Sequence, residues 1–176
     1  MRRWWLIGCL VILVLHGCGT AQTSEEYTPN DEKTVSETPD ITGFVMNQKE
    51  DRLLVVTPMI EASKTDFRAM WVSGVPKGTW VGKQVEVWIN GEAAESFPEQ
   101  AEADKVQELE MSEVQGADLK ASEALSTALA ETTDNEQIFA VELLSFNAET
   151  DQWTVELHQK GSSDGDNVKT TVKDER

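Results

Sequence analysis

Short segments in which apolar and polar residues alternate with period two constrain the fold of this chain most. Alternation over roughly 4–8 residues is typical of β-strands with one buried face. The pattern is found in ITGFVMN (41–47), RLLVVTP (52–58), FRAMWVS (67–73), KQVEVWIN (83–90) and KVQELEM (105–111). Turns with glycine separate several of these stretches. Five short strands in so small a space predict an antiparallel barrel of the OB-like or SH3-like type over residues 41–112.

A second folded unit is predicted over residues 117–176. Asp118 is the expected N-cap of a helix from about Leu119 to Glu131. The apolar stripe of this helix is Ala121, Ala124, Leu125, Ala128 and Leu129. Three strand-like stretches follow at 138–146, 153–158 and 168–172, and Trp153, Val155 and Leu157 are expected to pack onto the stripe. The predicted fold class is therefore a β-rich α+β protein, a barrel followed by a helix with a three-stranded sheet.

The first 17 residues have the pattern of a signal peptide. Arg2 and Arg3 form a basic start, and an apolar run extends from Trp4 to Leu15. A membrane-spanning helix needs roughly 18 apolar residues or more, whereas the apolar region of a signal peptide has about 7–15. The run is therefore predicted to direct export and then to be removed.

Two short boxes, LIGC ending at Cys9 and LHGC ending at Cys18, compete as the cleavage site. Cleavage before Cys9 would leave too short an apolar region ahead of it, so Cys18 is favoured. The residues Leu15, His16, Gly17 and Cys18 resemble a bacterial lipoprotein signal, which implies a diacylglyceryl group on Cys18. The alternative is an ordinary secreted protein that is cleaved later, after Gly19-Thr20-Ala21.

The composition of the chain limits the classes of partner that the mature protein is expected to bind. Residues 18–40 are polar, with Pro29 and Pro39, and are predicted to be a disordered acidic tether. The chain has 15 Lys and Arg against 32 Asp and Glu, a net charge of −17. Such a surface repels phosphate backbones, so nucleic acid is excluded as a partner. The expected partners are the membrane, through the lipid on Cys18, and an envelope protein or ligand of unknown identity.

Catalytic signatures are missing from the sequence. No Gly-x-Ser-x-Gly elbow accompanies His158, which is expected at an exposed strand position opposite Trp153. Glu86 and Glu95 are the candidate carboxylate pair of a hydrolase. Asp164 and Asp166 make a weak calcium candidate, because the loop lacks the further ligands of an EF-hand. The prediction is a protein without enzymatic activity, cofactor or metal.

Aromatic residues provide the candidate binding surface. Trp80 lies in a loop, and Trp88 alternates away from Val87 and Ile89. If both are exposed near Phe97, the three rings form a surface suited to stacking on a sugar or a peptide. The alternative places these rings in the core of a two-sided sheet. Trp71, which shares a face with Phe67, is expected in the core.

Three stretches carry a family resemblance: TGFVMNQKEDRLLVV (42–56), VGKQVEVWING (81–91) and ESFP (95–98). Together they resemble the OB-like domain of unknown function found in small Bacillus-type lipoproteins, although that family often has Tyr where this chain has Phe97. The resemblance implies a Gram-positive envelope lipoprotein and no known reaction. The helix and the following hairpin are similar to PepSY or cystatin modules, which often bind or restrain proteases.

These observations predict a lipid-anchored, extracytoplasmic protein on the outer face of the cell membrane. Its expected role is non-enzymatic binding of a ligand or protein through the rim of the barrel. One alternative is an inhibitor or regulator of an envelope protease that acts through residues 117–176. The other is a hydrolase that uses carboxylates.

Overall fold

The computed structural model describes residues 38–59, 66–132, 137–160 and 167–176. These residues belong to one compact unit, Thr34–Arg176. The predicted signal peptide (1–17), the lipidation site Cys18 and most of the tether lie outside the described residues. Asp164 and Asp166 also lie outside them, so the weak calcium site stays a prediction.

The described residues form a barrel, one helix and a three-stranded sheet. In chain order the elements are β1 (Ile41–Lys49), β2 (Arg52–Val56), β3 (Ala69–Ser73), β4 (Gln84–Ile89), β5 (Glu99–Leu109), α1 (Ala121–Thr132), β6 (Phe139–Asn147), β7 (Gln152–Gln159) and β8 (Val168–Lys173). The first five strands make the barrel, and the last three make an antiparallel sheet in the order β6-β7-β8. The predicted β-rich α+β fold class is confirmed.

The barrel closes in the strand order β1-β2-β3-β5-β4, an OB-like Greek-key arrangement. Four of its strand pairs are antiparallel, as predicted. The pair β3–β5 is parallel, with Met70 opposite Glu99 and Ser73 opposite Glu102, which corrects the purely antiparallel prediction. The reason is that β5 is long enough to pair with β3 through its first residues and with β4 through the rest.

Apolar side chains fill the barrel interior. Eight of them are at most 2% exposed: Ile41, Val45, Leu53, Val55, Met70, Val72, Val85 and Val87. On β2, β3 and β4 they occupy alternate positions, as period-two patterning predicts. Each buried side chain of this size contributes roughly 1.5–3 kcal/mol. The described residues contain no cysteine, so this core and the strand ladders hold the barrel closed.

A second core lies between the outside of the barrel and the three-stranded sheet. It unites outward barrel residues, the helix stripe and one sheet face: Phe44, Met46, Leu54, Val56, Phe67, Ala69, Ala124, Leu125, Ala128, Leu129, Phe139, Ala140, Val141, Trp153, Val155, Leu157 and Val172. The predicted packing of Trp153, Val155 and Leu157 with the helix is therefore present. The helix and sheet cover one face of the barrel because both surfaces are apolar.

Helix α1 approaches the barrel closely at Gly82, just before β4. A Cβ atom at Gly82 would lie 2.2 Å from the carbonyl oxygen of Ser122 and 2.8 Å from the nitrogen of Ser126. The backbone of Gly82 also has a φ of +86°, in the region that favours glycine. Only a residue without a side chain fits this contact.

The helix begins at Ala121, later than predicted, and Asp118 is not its cap. The Glu123 carboxylate accepts a hydrogen bond from the Lys120 amide at 2.7 Å, and the Ala124 amide donates to the Lys120 carbonyl. This is the reciprocal part of a capping box. The Lys120 hydrogen bond is the main reason that the pKa of Glu123 lies below its usual value.

Asp174, after β8, provides the anchor that Asp118 was expected to provide. Its carboxylate, in a residue only 2% exposed, accepts hydrogen bonds from the amides of Asp118 and Leu119 and from the Trp153 indole at 2.9 Å. Burial raises the pKa of Asp174, but the three hydrogen bonds outweigh it, so the pKa lies below its ordinary value. One carboxylate therefore joins the chain before the helix to the core of the sheet.

Arg68 ties together the ends of three barrel strands. Its guanidinium binds both carboxylate oxygens of Glu99, at 3.0 and 2.7 Å, and donates to the Asp40 carbonyl at 2.8 Å. The hydrogen bond to Glu99 raises the pKa of Arg68, and the same bond lowers the pKa of Glu99. The pair is partly exposed, so it sets local geometry and adds little stability.

A candidate binding groove on the rim of the barrel

An open groove crosses the outer surface of the barrel next to the covered face. The β1–β2 hairpin and the loop between β4 and β5 both contribute residues to it. It has a volume of about 740 Å³ and is lined by Arg52, Trp71, Ser73, Asn90, Glu92, Ala93, Ala94, Gln100, Ala101 and Glu102. In OB-like barrels, the β2–β3 face and these two loops form the usual ligand surface.

Trp71 supplies the aromatic surface of the groove. Its neighbours Met70 and Val72 point into the barrel interior, so the Trp71 ring lies outside, half-buried at the margin of the second core. The Arg52 guanidinium carbon lies 5.2 Å from the ring centroid and the Lys49 amine lies 5.6 Å from it. The expectation that Trp71 is a core residue is therefore met only in part, since part of the ring faces the groove.

Polar side chains surround this ring in strand register. Gln100 is the β5 partner of Trp71, and Glu102 is the partner of Ser73. The Arg52 guanidinium donates to the Gln100 side-chain oxygen at 3.4 Å, across the groove surface. The groove thus presents hydrogen-bond donors and acceptors beside an apolar ring, which is the composition of many small-molecule sites.

The β4–β5 loop forms an ordered wall. The Asn90 amide donates to the Glu102 carbonyl and the Ala94 amide donates to the Gln100 carbonyl, each at 2.8 Å. Ser96 closes the loop further with a hydrogen bond from its hydroxyl to the Pro98 carbonyl at 2.7 Å. These bonds hold the wall in place before any ligand arrives, which reduces the entropy lost on binding.

Comparison with known proteins bears on this part of the chain. A family model described as "Protein of unknown function (DUF3221)" matches residues 42–110. No curated protein and no solved structure matches the chain. The predicted resemblance to a domain of unknown function is thus confirmed for the barrel, and every residue that lines the groove lies within the matched residues.

The three aromatic residues predicted to form a binding surface lie in different surroundings of the barrel. Trp88 is only 7% exposed, with the Lys105 amine 4.1 Å from its ring centroid, so it offers little ring surface to a ligand. Trp80 is half-buried against the barrel core, and its indole donates to the Pro76 carbonyl at 2.9 Å.

Phe97, the third of these residues, is 47% exposed. Its ring lies 6.1 Å from the buried Phe67 ring, and the Lys160 amine lies 4.0 Å above it. Phe97 does not line the groove. The ring that does, Trp71, was missed as a site residue because it was assigned to the core.

His158 is buried, which corrects the expected exposed position. It lies on β7 opposite Ala140 and is only 3% exposed. Its Nδ1 is 2.8 Å from the Asn167 side-chain oxygen, and the Asn167 amide donates to Glu142 at 2.6 Å. Strand alternation placed His158 on the side opposite Trp153, but alternation does not tell whether that side is covered.

The two residues of the candidate carboxylate pair lie in different elements of the barrel. Glu86 lies within β4, paired with Thr42 and Gln107, and Glu95 is exposed in the β4–β5 loop.

Among the described residues, no group of three or more His, Cys, Asp or Glu side chains is arranged to hold a metal ion. Within the same residues, no helix is long and apolar enough to cross a membrane.

Proposed function

We propose that this chain is a lipid-anchored, extracytoplasmic, non-enzymatic binding protein. The groove around Trp71 is its binding site, and the lipid on Cys18 holds it at the outer face of the cell membrane. The observation that carries the proposal is the half-buried Trp71 ring in an open groove with polar side chains on both sides. Confinement at the membrane raises the effective concentration of the groove toward envelope ligands.

The Trp71 groove supports binding and not catalysis. Its ring gives a ligand an apolar surface, and Arg52, Gln100 and Glu102 give directional hydrogen bonds. His158, the histidine among the described residues, is buried on β7 and does not line the groove. The protease-inhibitor alternative for residues 117–176 and the hydrolase alternative with Glu86 and Glu95 stay predictions.

The start of the chain supports the anchor. A basic start, a twelve-residue apolar run from Trp4 to Leu15 and the sequence Leu15-His16-Gly17-Cys18 follow the order of a lipoprotein signal. Two acyl chains give stable anchoring, because each buried methylene contributes about 0.8 kcal/mol. The net charge of −17 supports a partner other than nucleic acid.

Replacement of Cys18 by alanine is expected to move the protein from the membrane fraction to the medium, because the diacylglyceryl group has no other attachment point. The matched control is Cys9→Ala, which is expected to leave the protein in the membrane fraction since Cys9 precedes the cleavage site. Fractionation followed by immunoblotting measures both variants. A Cys18→Ala protein that stays in the membrane fraction would show that the anchor is wrong.

Replacement of Trp71 by alanine, in the chain that also carries Cys18→Ala, is expected to reduce sedimentation with insoluble cell-envelope material by about tenfold or more, through loss of the stacking surface. Phe97→Ala is the control, because Phe97 is exposed but lies outside the groove. If Trp71→Ala lowers the midpoint of urea denaturation, a loss of stability would explain a loss of binding. Arg52→Ala then tests the same groove, because Arg52 also lines it. Equal sedimentation of all the variants and the parent chain would refute the proposed site.

A further inference from the structure

We infer that the ligand of the Trp71 groove is an uncharged, hydroxyl-rich glycan, an inference that rests on the proposed function. Three features of the groove support a neutral glycan: its paired backbone, its charges, and its pattern of hydrogen-bond donors and acceptors.

The backbone of the groove is already paired, which argues against an extended peptide. Trp71 on β3 is paired with Leu54 on one side and with Gln100 on the other. The β4–β5 loop covers Gln100 and Glu102 with its own amide hydrogen bonds. A peptide that adds a strand needs a free strand edge, and this floor has none at Trp71.

The groove carries charges of both signs, so it favours neither kind of charged polymer. Arg52 lines the groove and Lys49 lies beside the Trp71 ring, whereas Glu92 and Glu102 line it with carboxylates. An anionic polymer meets these two carboxylates and the acidic charge of the whole chain. A cationic peptide is attracted by these carboxylates and by the acidic chain, but it meets Arg52 and Lys49 beside the Trp71 ring. A neutral ligand avoids both repulsions.

The pattern of polar groups matches hydroxyls. Asn90 and Gln100 each offer an amide donor and an amide acceptor, Arg52 offers donors only, and Glu102 offers acceptors only. A hydroxyl both donates and accepts, so a sugar ring satisfies all these groups together. The apolar C–H face of the same sugar packs on the Trp71 ring, which leaves its hydroxyls at the polar rim.

Isothermal titration of the Cys18→Ala chain with three sets of probes tests this inference. The sets are neutral oligosaccharides (tetramers of N-acetylglucosamine, glucose and mannose), anionic polymers (heparin and polyglycerol phosphate) and a cationic peptide (tetralysine). We expect binding of at least one neutral tetramer, a loss of about tenfold or more in Trp71→Ala, and no loss in Phe97→Ala. Because the ligand is uncharged, its affinity is expected to change little with salt.

Other outcomes separate the ligand class from the site. Binding of a charged probe that requires Trp71, with no binding of a neutral tetramer, would overturn the glycan while the proposed site stands. Neutral binding that is equal in Trp71→Ala and the parent chain would overturn both the glycan assignment to this groove and the groove itself. Absence of binding by all three neutral tetramers would overturn the inference, and the envelope sedimentation experiment would then decide the proposed site on its own.

Discussion

Replacement of Gly82 by alanine is expected to destabilise the protein by roughly 2–5 kcal/mol, from two separate costs. The positive φ of +86° costs a residue with a side chain about 1–2 kcal/mol. The new Cβ atom also overlaps the Ser122 carbonyl oxygen at 2.2 Å, so helix α1 must move away from the barrel. Overpacking of this kind costs roughly 1–3 kcal/mol. Urea denaturation followed by circular dichroism measures the sum.

Gly91→Ala is the matched control for Gly82→Ala. Gly91 has nearly the same φ, +87°, but a Cβ atom there meets no heavy atom within 4 Å. Gly91→Ala should therefore lower the free energy of unfolding only by the cost of the positive φ, about 1–2 kcal/mol. The difference in the free energy of unfolding between the two variants measures the cost of the steric overlap between helix α1 and the barrel. If Gly82→Ala and Gly91→Ala are equally stable, helix α1 does not pack on Gly82 in solution.

Replacement of Asp174 by asparagine is expected to lower the melting temperature by several degrees and to loosen the start of helix α1. The buried carboxylate accepts from two backbone amides and from the Trp153 indole, and asparagine retains one acceptor oxygen while adding a donor that faces donors. Glu175→Gln removes the same charge from an exposed neighbour and should change little. Thermal unfolding and the near-ultraviolet signal of tryptophan measure the difference.

The effect of Asp174→Asn is also expected to depend on pH. The pKa of Asp174 in the folded protein lies below its ordinary value of 3.8. The stability that its carboxylate provides is therefore fully present above that ordinary value and is lost as the pH falls toward the folded pKa. The difference in stability between the parent protein and Asp174→Asn should be constant near neutral pH and should disappear in acid. A gap that stays constant throughout the acid range would contradict the role of the ionised carboxylate.

Much of the fold follows from local pattern. The alternation in RLLVV and QVEVWI predicted β2 and β4, and Val85 and Val87 point into the barrel as expected. The helix stripe and the Trp153 face were predictable for the same reason, since apolar residues at the period of an element must be buried together. Strand β5 was predicted only in its second half, because its first residues are polar and are held by pairing with β3.

The groove was less predictable, because its parts are far apart in the sequence. Arg52, Trp71 and Gln100 meet only when β2, β3 and β5 lie side by side. Alternation in FRAMWVS offered one signal, since Met70 and Val72 inside the barrel require Trp71 outside it. It did not tell whether the outer face at Trp71 is covered, and the sheet and helix leave that ring half-buried.

The sequence by itself determined most of the strands, which helix face is apolar, and the acidic charge of the chain. These are local or summed properties of the chain, and they need no knowledge of distant contacts. Only the tertiary structure decided which outer barrel face the helix and sheet cover, that β3 and β5 are parallel, and that Asp174 holds the chain before the helix. Trp88 and His158 are buried and Trp71 lies at an open groove, because exposure depends on neighbours far away in the chain.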